Sequence, residues 1–237
     1  MPTLTTIKNV TVYNRGISIF GETWTGVRDG TSGLLDATSD GTDFGVSQFV
    51  ARGATWYMIH RVFAYFDTSG ISIAPSSATL KIYGRANVGS HDNADFFVVK
   101  GTQGTGTPSA SDFDEIGGWD TSTAADGDPS GTGSGAGDQE SNVTKYTAEW
   151  VNGTTAWDES DYNELTLNAT ARADMASGTE LYICIIESVH DLRDVSENHN
   201  SNSGMYFTDD AGKETQIDYT AGVASAADNA IFFGTNF

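Results

Sequence analysis

The sequence predicts an all-β protein, a jelly-roll-like β-sandwich with one to three short helices and long acidic loops. Three observations predict it. Apolar residues recur with period two in short runs, the spacing that sends successive side chains to opposite faces of a strand. Clusters of Gly, Asp, Asn, Ser and Thr separate these runs, as turns require. The chain also holds 27 glycines and only 12 Lys plus Arg, which disfavours a helix-rich protein. At 237 residues, with 38% hydrophobic and 11% aromatic content, it can pack one decorated sandwich domain. Residues 1–56 are expected to be N-terminal strands and a loop packing on the sandwich, residues 57–219 its core, and residues 220–237 a C-terminal docking tail.

"LTTIKNVTVYNRGISIF" (4–20) alternates in two segments broken at Asn14–Gly16, where Gly16 supplies the turn of an N-terminal hairpin or edge strand. Residues 21–43 are dense in Gly, Asp, Ser and Thr and form a loop anchored at Leu34 and Leu35. "FGVSQFVAR" (44–52) resumes strand character. In "RVFAYFDTSGISIAPSSATLKIYG" (61–84), Val62, Ala64 and Phe66 face one way and Arg61, Phe63 and Tyr65 the other. The run breaks at Asp67–Gly70, and alternation resumes at Ala78, Leu80 and Ile82. Aromatic residues on both faces call for a second layer, or a partner, on the face a lone sheet would leave to water. "ADFFVVKG" (94–101) puts Phe96 and Val98 on one face and Phe97 and Val99 on the other.

"PSASDFDEIGGW" reads as one or two helical turns around Asp112–Ile116, opened by a capping box at Ser109 or Ser111 and stopped by Gly117–Gly118. Residues 121–142 have almost nothing to bury and form a long flexible loop insertion. "NVTKYTAEWVNG" is a strand or a short helix; Val143, Tyr146 and Trp150 at i, i+3 and i+7 favour the helix. "YNELTLN" is a strand with Leu165 and Leu167 on one face, and "ATARADMASG" a short helix ended by Gly178. "ELYICIIES" is the best buried strand and carries the single cysteine, Cys184, as a small apolar residue. "GMYFTDD" and "TQIDYT" close the domain across the loop 209–213. Eight to eleven short strands separated by turns are the pattern of a sandwich.

The 32 acidic against 12 basic residues give a net charge of −20, which repels phosphate backbones and anionic lipid, so no nucleic-acid and no membrane partner is expected. That charge serves solubility. One cysteine excludes an intrachain disulfide. "MPTLTTIKNVTVYN" has no basic segment followed by an apolar one, so no export signal is read, and no run approaches transmembrane length.

The His91–Asp92 and His190–Asp191 pairs invite a metal-hydrolase reading, yet both follow strands and enter loops rich in turn residues, where a turn role is expected. "TSDGTD" (38–43) and "DGDPSG" (126–131) cluster oxygens as a structural Ca²⁺ site needs, without EF-hand spacing; plain turns are the expectation. There is no Gly-x-Ser-x-Gly elbow, and no carboxylate pair stands out from the many, so the chain is expected not to be an enzyme and no cofactor is assigned. Trp24, Trp56, Tyr57, Trp119, Trp150 and Trp157 lie in or beside loops, where flat rings can stack on sugars or plug the ends of a sandwich core; plugging is favoured. Ile231, Phe232, Phe233 and Phe237 make an apolar cluster too costly to leave in water. The tail should therefore dock, as an edge strand beside residues 4–13 or against a neighbouring subunit or shell.

"RVFAYFDTSG", "ATLKIYG", "YNELTLN" before a short helix and "ELYICIIES", and "MYFTDDAGKETQIDYT" together resemble the DNRLRE-type jelly-roll domains of bacterial surface proteins and their relatives in tailed-phage virions. Phe66, Ala78, Leu80, Ile82, Tyr83, Ile217 and Tyr219 stand where that family has its aromatic-ended strand, its Ala-x-Leu-x-Ile-Tyr strand and its closing strand. The resemblance covers about residues 57–219. Together with the missing export signal, the surface-type composition, the acidity and the sandwich pattern, it leads to the expectation of a non-enzymatic phage virion structural protein, a capsid decoration or head-surface protein made in the host cytoplasm. Its partners would be the major capsid or other virion proteins, and it would form a homo-oligomer, with a trimer expected. The alternative it implies is a carbohydrate-binding or adhesive module on a fibre or surface protein, engaging host glycans.

Overall fold

The strand Ala54–Asp67 is shared by two hydrophobic cores, one on each of its faces, and the rest of the architecture is arranged around it. The computed structural model describes residues 1–36, 41–86, 92–104, 108–119, 137–195, 200–206 and 210–223. In chain order the elements are β1 (Thr3–Thr5), β2 (Lys8–Ile17), α1 (Trp24–Arg28), β3 (Leu34–Asp36), β4 (Gly41–Ala51), β5 (Ala54–Asp67), β6 (Ser77–Arg85), β7 (Phe96–Lys100), β8 (Tyr162–Thr166), α2 (Ala169–Ser177), β9 (Glu180–Glu187), β10 (Asn200–Tyr206) and β11 (Gln216–Thr220). This is the expected all-β sandwich.

All strand pairs are antiparallel. A front sheet runs β8-β6-β11-β1. In the back sheet, β5 pairs with β2 along one edge; on the other edge its first half pairs with β4 and its second half with β9. β3 extends β2, β10 extends β4 and β7 extends β9. A short contact of β10 with the end of β6 joins the two sheets. Residues 1–56 thus supply strands to both sheets, and β5 itself crosses position 56.

Between the sheets lies the first core: Val62, Ala64 and Phe66 of β5, Leu181, Ile183 and Ile185 of β9, and Phe96 and Val98 of β7 meet Ala78, Leu80, Ile82, Leu165 and Ile217 of the front sheet. The alternation read from residues 61–84 and 94–101 holds here. One reset is needed in β4, where Gly45 takes φ +124° and a Cβ would lie 2.0 Å from Ser201 O. That backbone favours glycine, and it turns Phe44 into the sandwich core while Val46 enters the other one.

The second core sits on the outer face of the back sheet. Phe63, Ile59, Cys184, Ile186, Phe97 and Val99 are capped there by Trp24 and Val27 of α1, Phe113, Ile116, Val143 and Leu192. Burial pushes the Cys184 thiol up, leaving it a neutral apolar filler. The cap is held by charge. Arg61 is fully buried and donates Nε to Asp191 Oδ2 at 2.8 Å, Nη2 to Asp191 Oδ1 at 2.6 Å and Nη1 to Phe113 O at 2.7 Å. Its guanidinium lies over the ring of Phe113 at 4.1 Å and over that of Trp119 at 4.3 Å. Arg28, also fully buried, donates to the carbonyls of Asp191, Leu192 and Gly137.

Several expectations are corrected. β2 runs without a break through Asn14–Gly16, paired to β5 throughout. Gly16 makes no turn: a Cβ there would lie 2.6 Å from Val27 Cγ2 and 2.7 Å from Glu22 Cβ, so the missing side chain lets the segment of α1 close on the strand. Residues 143–150 form neither helix nor regular strand, because Tyr146 enters the first core and Val143 the second, which one helical stripe cannot do. The segment instead bridges β7 irregularly at Lys145 and Trp150. The capping box is real but opens a 3-10 turn at Ala110–Asp112, with Ser109 N donating to Asp112 Oδ2 at 2.6 Å. Residues 137–142, expected in the solvated loop, are docked through buried Gln139 and through Glu140, which pairs with Lys145 and Arg193. Most of that loop, 121–136, lies outside the described residues.

Candidate functional site

The first half of β5 extends past the sandwich core. None of Trp56, Met58 and His60 joins that core, although Val62, Ala64 and Phe66 on the same face do. The opposite face of this half is covered, since Ile59 enters the second core and Tyr57 packs against it beside Trp24. Register places the neighbours of the uncovered face. Ile17, Trp56 and Phe49 form one cross-strand row, Arg15, Met58 and Ser47 the next, and Leu34, Tyr13 and His60 the third. Directly opposed side chains in antiparallel strands touch, and two pairs show it: Phe49 and Trp56 stack with planes 4° apart, and the Tyr13 and His60 rings lie 5.2 Å apart.

The hairpin that carries Phe49 and Trp56 is tight. Arg52 and Gly53 both have positive φ, at 52° and 78°, as a two-residue primed turn requires. At this end the Oγ of Ser18 accepts from Thr55 N at 2.9 Å, which brings the turn Ser18–Phe20 beside the hairpin. Apolar exposure concentrates here: Phe20 is 72% exposed, Ile19 65%, Val50 61%, Leu34 45% and Phe49 38%. Burial lowers the His60 pKa against the pull of the Asp43 carbonyl, so the imidazole is neutral at neutral pH and Arg15 is the charged group within the three rows.

The other aromatic candidates are dispersed. Trp24 and Trp157 are buried plugs, their indole N–H groups donating to Asp194 Oδ1 at 2.9 Å and Gly204 O at 3.1 Å, so neither can stack on a sugar. Trp119 roofs the two buried arginines. Trp150 is half-buried, stacked on Phe96 at 5.8 Å, and its indole N–H has no partner. Sequence reasoning missed Phe49; the signal was the Arg52–Gly53 turn, which sets Phe49 opposite Trp56.

His190 and Asp191 do follow β9, in a π-helical turn over Ser188–Leu192, but they are not exposed turn residues. Buried Glu187 accepts from the amides of His190 and Asp191 at 2.6 and 2.9 Å and from His190 Nδ1 at 2.9 Å. The turn aims Asp191 at Arg61. Two clefts lie on either side of the stretch 147–155. One, of ≈ 450 Å³, includes Asp92, Asp95, Asn152, His190 and Ser201; the other, of ≈ 250 Å³, is walled by Trp150. Among the described residues no group of three or more His, Cys, Asp or Glu is placed to hold a metal ion, and no helix is long and apolar enough to cross a membrane. His91, residues 38–40 and 126–131 of the acidic loops, and Ile231, Phe232, Phe233 and Phe237 of the tail lie outside the described residues.

Compared with known proteins, the chain matches no protein-family model and no curated protein. What speaks for function is the largely apolar sheet face around Phe49, Trp56 and Met58 at one end of an acidic molecule, suited to packing against another surface.

Proposed function

We propose that the chain is a non-enzymatic structural protein of a tailed-phage virion, a decoration or head-surface protein that docks on the assembled shell. The observation that carries this reading is the uncovered face of β4, β5, β2 and β3, whose reverse side is closed by α1 and the loops around it. Contiguous exposed apolar surface of this kind marks a site of protein interaction. Phe49, stacked on Trp56, is its anchor, and Phe20 and Ile19 stand exposed in the adjoining turn; each is worth about 1.5–3 kcal/mol when fully buried. The net charge of −20 supports the same reading, since it keeps unbound copies apart. The resemblance of residues 57–219 to virion jelly-roll domains supplies the shell as partner.

The test is co-sedimentation of the purified protein with particles lacking it. Phe49→Asp with Phe20→Asp should leave the melting curve nearly unchanged and reduce retention on particles by more than tenfold, since 1.4 kcal/mol is about a factor of ten. Undiminished retention would refute docking through this face; no retention of the unaltered chain would refute the virion reading.

A further inference from the structure

His60 stands among apolar neighbours on the face assigned to docking. Its cross-strand row places Tyr13 of β2 beside it, the rings 5.2 Å apart, and Leu34 of β3 beyond. Along β5, Met58 lies two positions earlier on the same side. The residue is half-buried, so a partner laid on this face covers what is left of it.

Hydrogen bonding fixes where a proton can enter the ring. Nδ1 lies 3.2 Å from the carbonyl oxygen of Asp43, which can only accept, so Nδ1 carries the hydrogen and Nε2 is the basic nitrogen. Among the described residues, none is placed to accept from Nε2. The charged groups around the ring are Arg15 on β2, one row away, Asp36 on β3 and Asp43 on β4. Both carboxylates favour an imidazolium and Arg15 opposes it, and burial outweighs the carboxylates.

We propose that docking through this face is switched by proton uptake at His60: with Nε2 bare the face binds, and with Nε2 protonated a charge lacking an acceptor would have to be buried against the partner, so the face releases it. The inference rests on the docking reading and adds its regulation. Burying the cation is costly, so the docked ring takes up a proton less readily than the free one. Binding is therefore complete above the pKa of the ring in the free protein, which lies below the ordinary 6.5, and weakens by about tenfold per pH unit beneath it.

Two measurements test this. The ring-proton resonances of His60, assigned by their loss in His60→Gln, give the pKa of the free protein. Co-sedimentation with particles lacking the protein then gives the apparent Kd at pH 7.5 and at one unit below that pKa, with melting curves at both to show that the chain is folded. The Kd should rise about tenfold in the unaltered protein. His60→Gln and His60→Phe, which cannot take up the proton, should be retained at both pH values with Kd changing less than about twofold. The proposal is overturned if the ring does not titrate above pH 5, if the Kd of the unaltered protein is the same at both pH values or falls in acid, if both variants keep the tenfold change, or if neither is retained at pH 7.5. No retention of the unaltered protein at any pH would refute the virion reading and this inference with it; retention indifferent to pH would refute this inference alone.

Discussion

The two cores on either side of β5 are built by different physics from the same strand. On the sandwich side, Val62, Ala64 and Phe66 meet other apolar side chains, and area removed from water does the work. On the capped side, Phe63 and Ile59 are apolar as well, but between them stands Arg61, fully buried and held by Asp191, Phe113 and the ring of Trp119. The sandwich core is made of sheets, which bring their own hydrogen bonds. The cap is made of loops, whose backbone groups need partners once buried, and Arg61 and Arg28 supply them by donating to the carbonyls of Phe113, Asp191, Leu192 and Gly137. The difference teaches that a buried cation can serve as the tie for irregular chain where no sheet is available.

The sharpest way to break this contrast is Asp191→Ala. It leaves the Arg61 guanidinium buried without its carboxylate, which costs about 3–5 kcal/mol. Hydrogen exchange should quicken first around residues 24–30, 113–119 and 188–193, with the front sheet retaining protection. If protection falls uniformly over both sheets, the cap is not a separate layer. Phe66→Ala attacks the other side, at a cost of about 3 kcal/mol or slightly more in denaturant unfolding, and here β6, β9 and β11 should lose protection together. A loss under about 1 kcal/mol would contradict its place in the core.

How much of this was readable follows the same division. Alternation in residues 61–66 and 78–82 located the sandwich core, because a strand's two faces are written into neighbouring positions. The burial of Arg61 was not readable, since its partner lies 130 positions away and presents itself beside His190 as an ordinary loop residue. Gly16 read as a turn because glycine's two uses, positive φ and close approach, leave the same letter; only the position of Val27 separates them. Of the candidate site, Trp56 and Trp150 were picked out as aromatics near loops, but the rows that give Trp56 its neighbours depend on strand pairing, and the cleft beside Trp150 depends on β8 lying next to residues 147–155.

The mildest test concerns the rim of the cap, where Arg193 binds Glu140 and Glu149. Hydrogen bonds from Arg193 and Lys145 hold the Glu140 carboxyl down at about 2, against an ordinary value of 4.5. Because the folded-state pKa is depressed, the stabilisation is complete above about pH 4.5 and is lost as the pH falls towards 2. Glu140 is well solvated, so the effect is small. Urea midpoints measured across that window should decline less steeply in Glu140→Gln than in the unaltered protein; parallel slopes would show that the pair contributes nothing to acid stability.

β1 finds its partner in β11, with Thr3 opposite Asp218 and their side chains joined across 215 positions of sequence. A front sheet stitched in this way cannot close until residues 216–220 have left the ribosome, because β1 must wait for β11. Until then β6 lacks β11, and the apolar faces of β5 and β6 stay open to association with other nascent chains. Topologies dominated by such distant pairings fold on the slow side, in milliseconds to seconds. The negative charge spread along the chain counters that association in the unfolded chain as it does between folded copies.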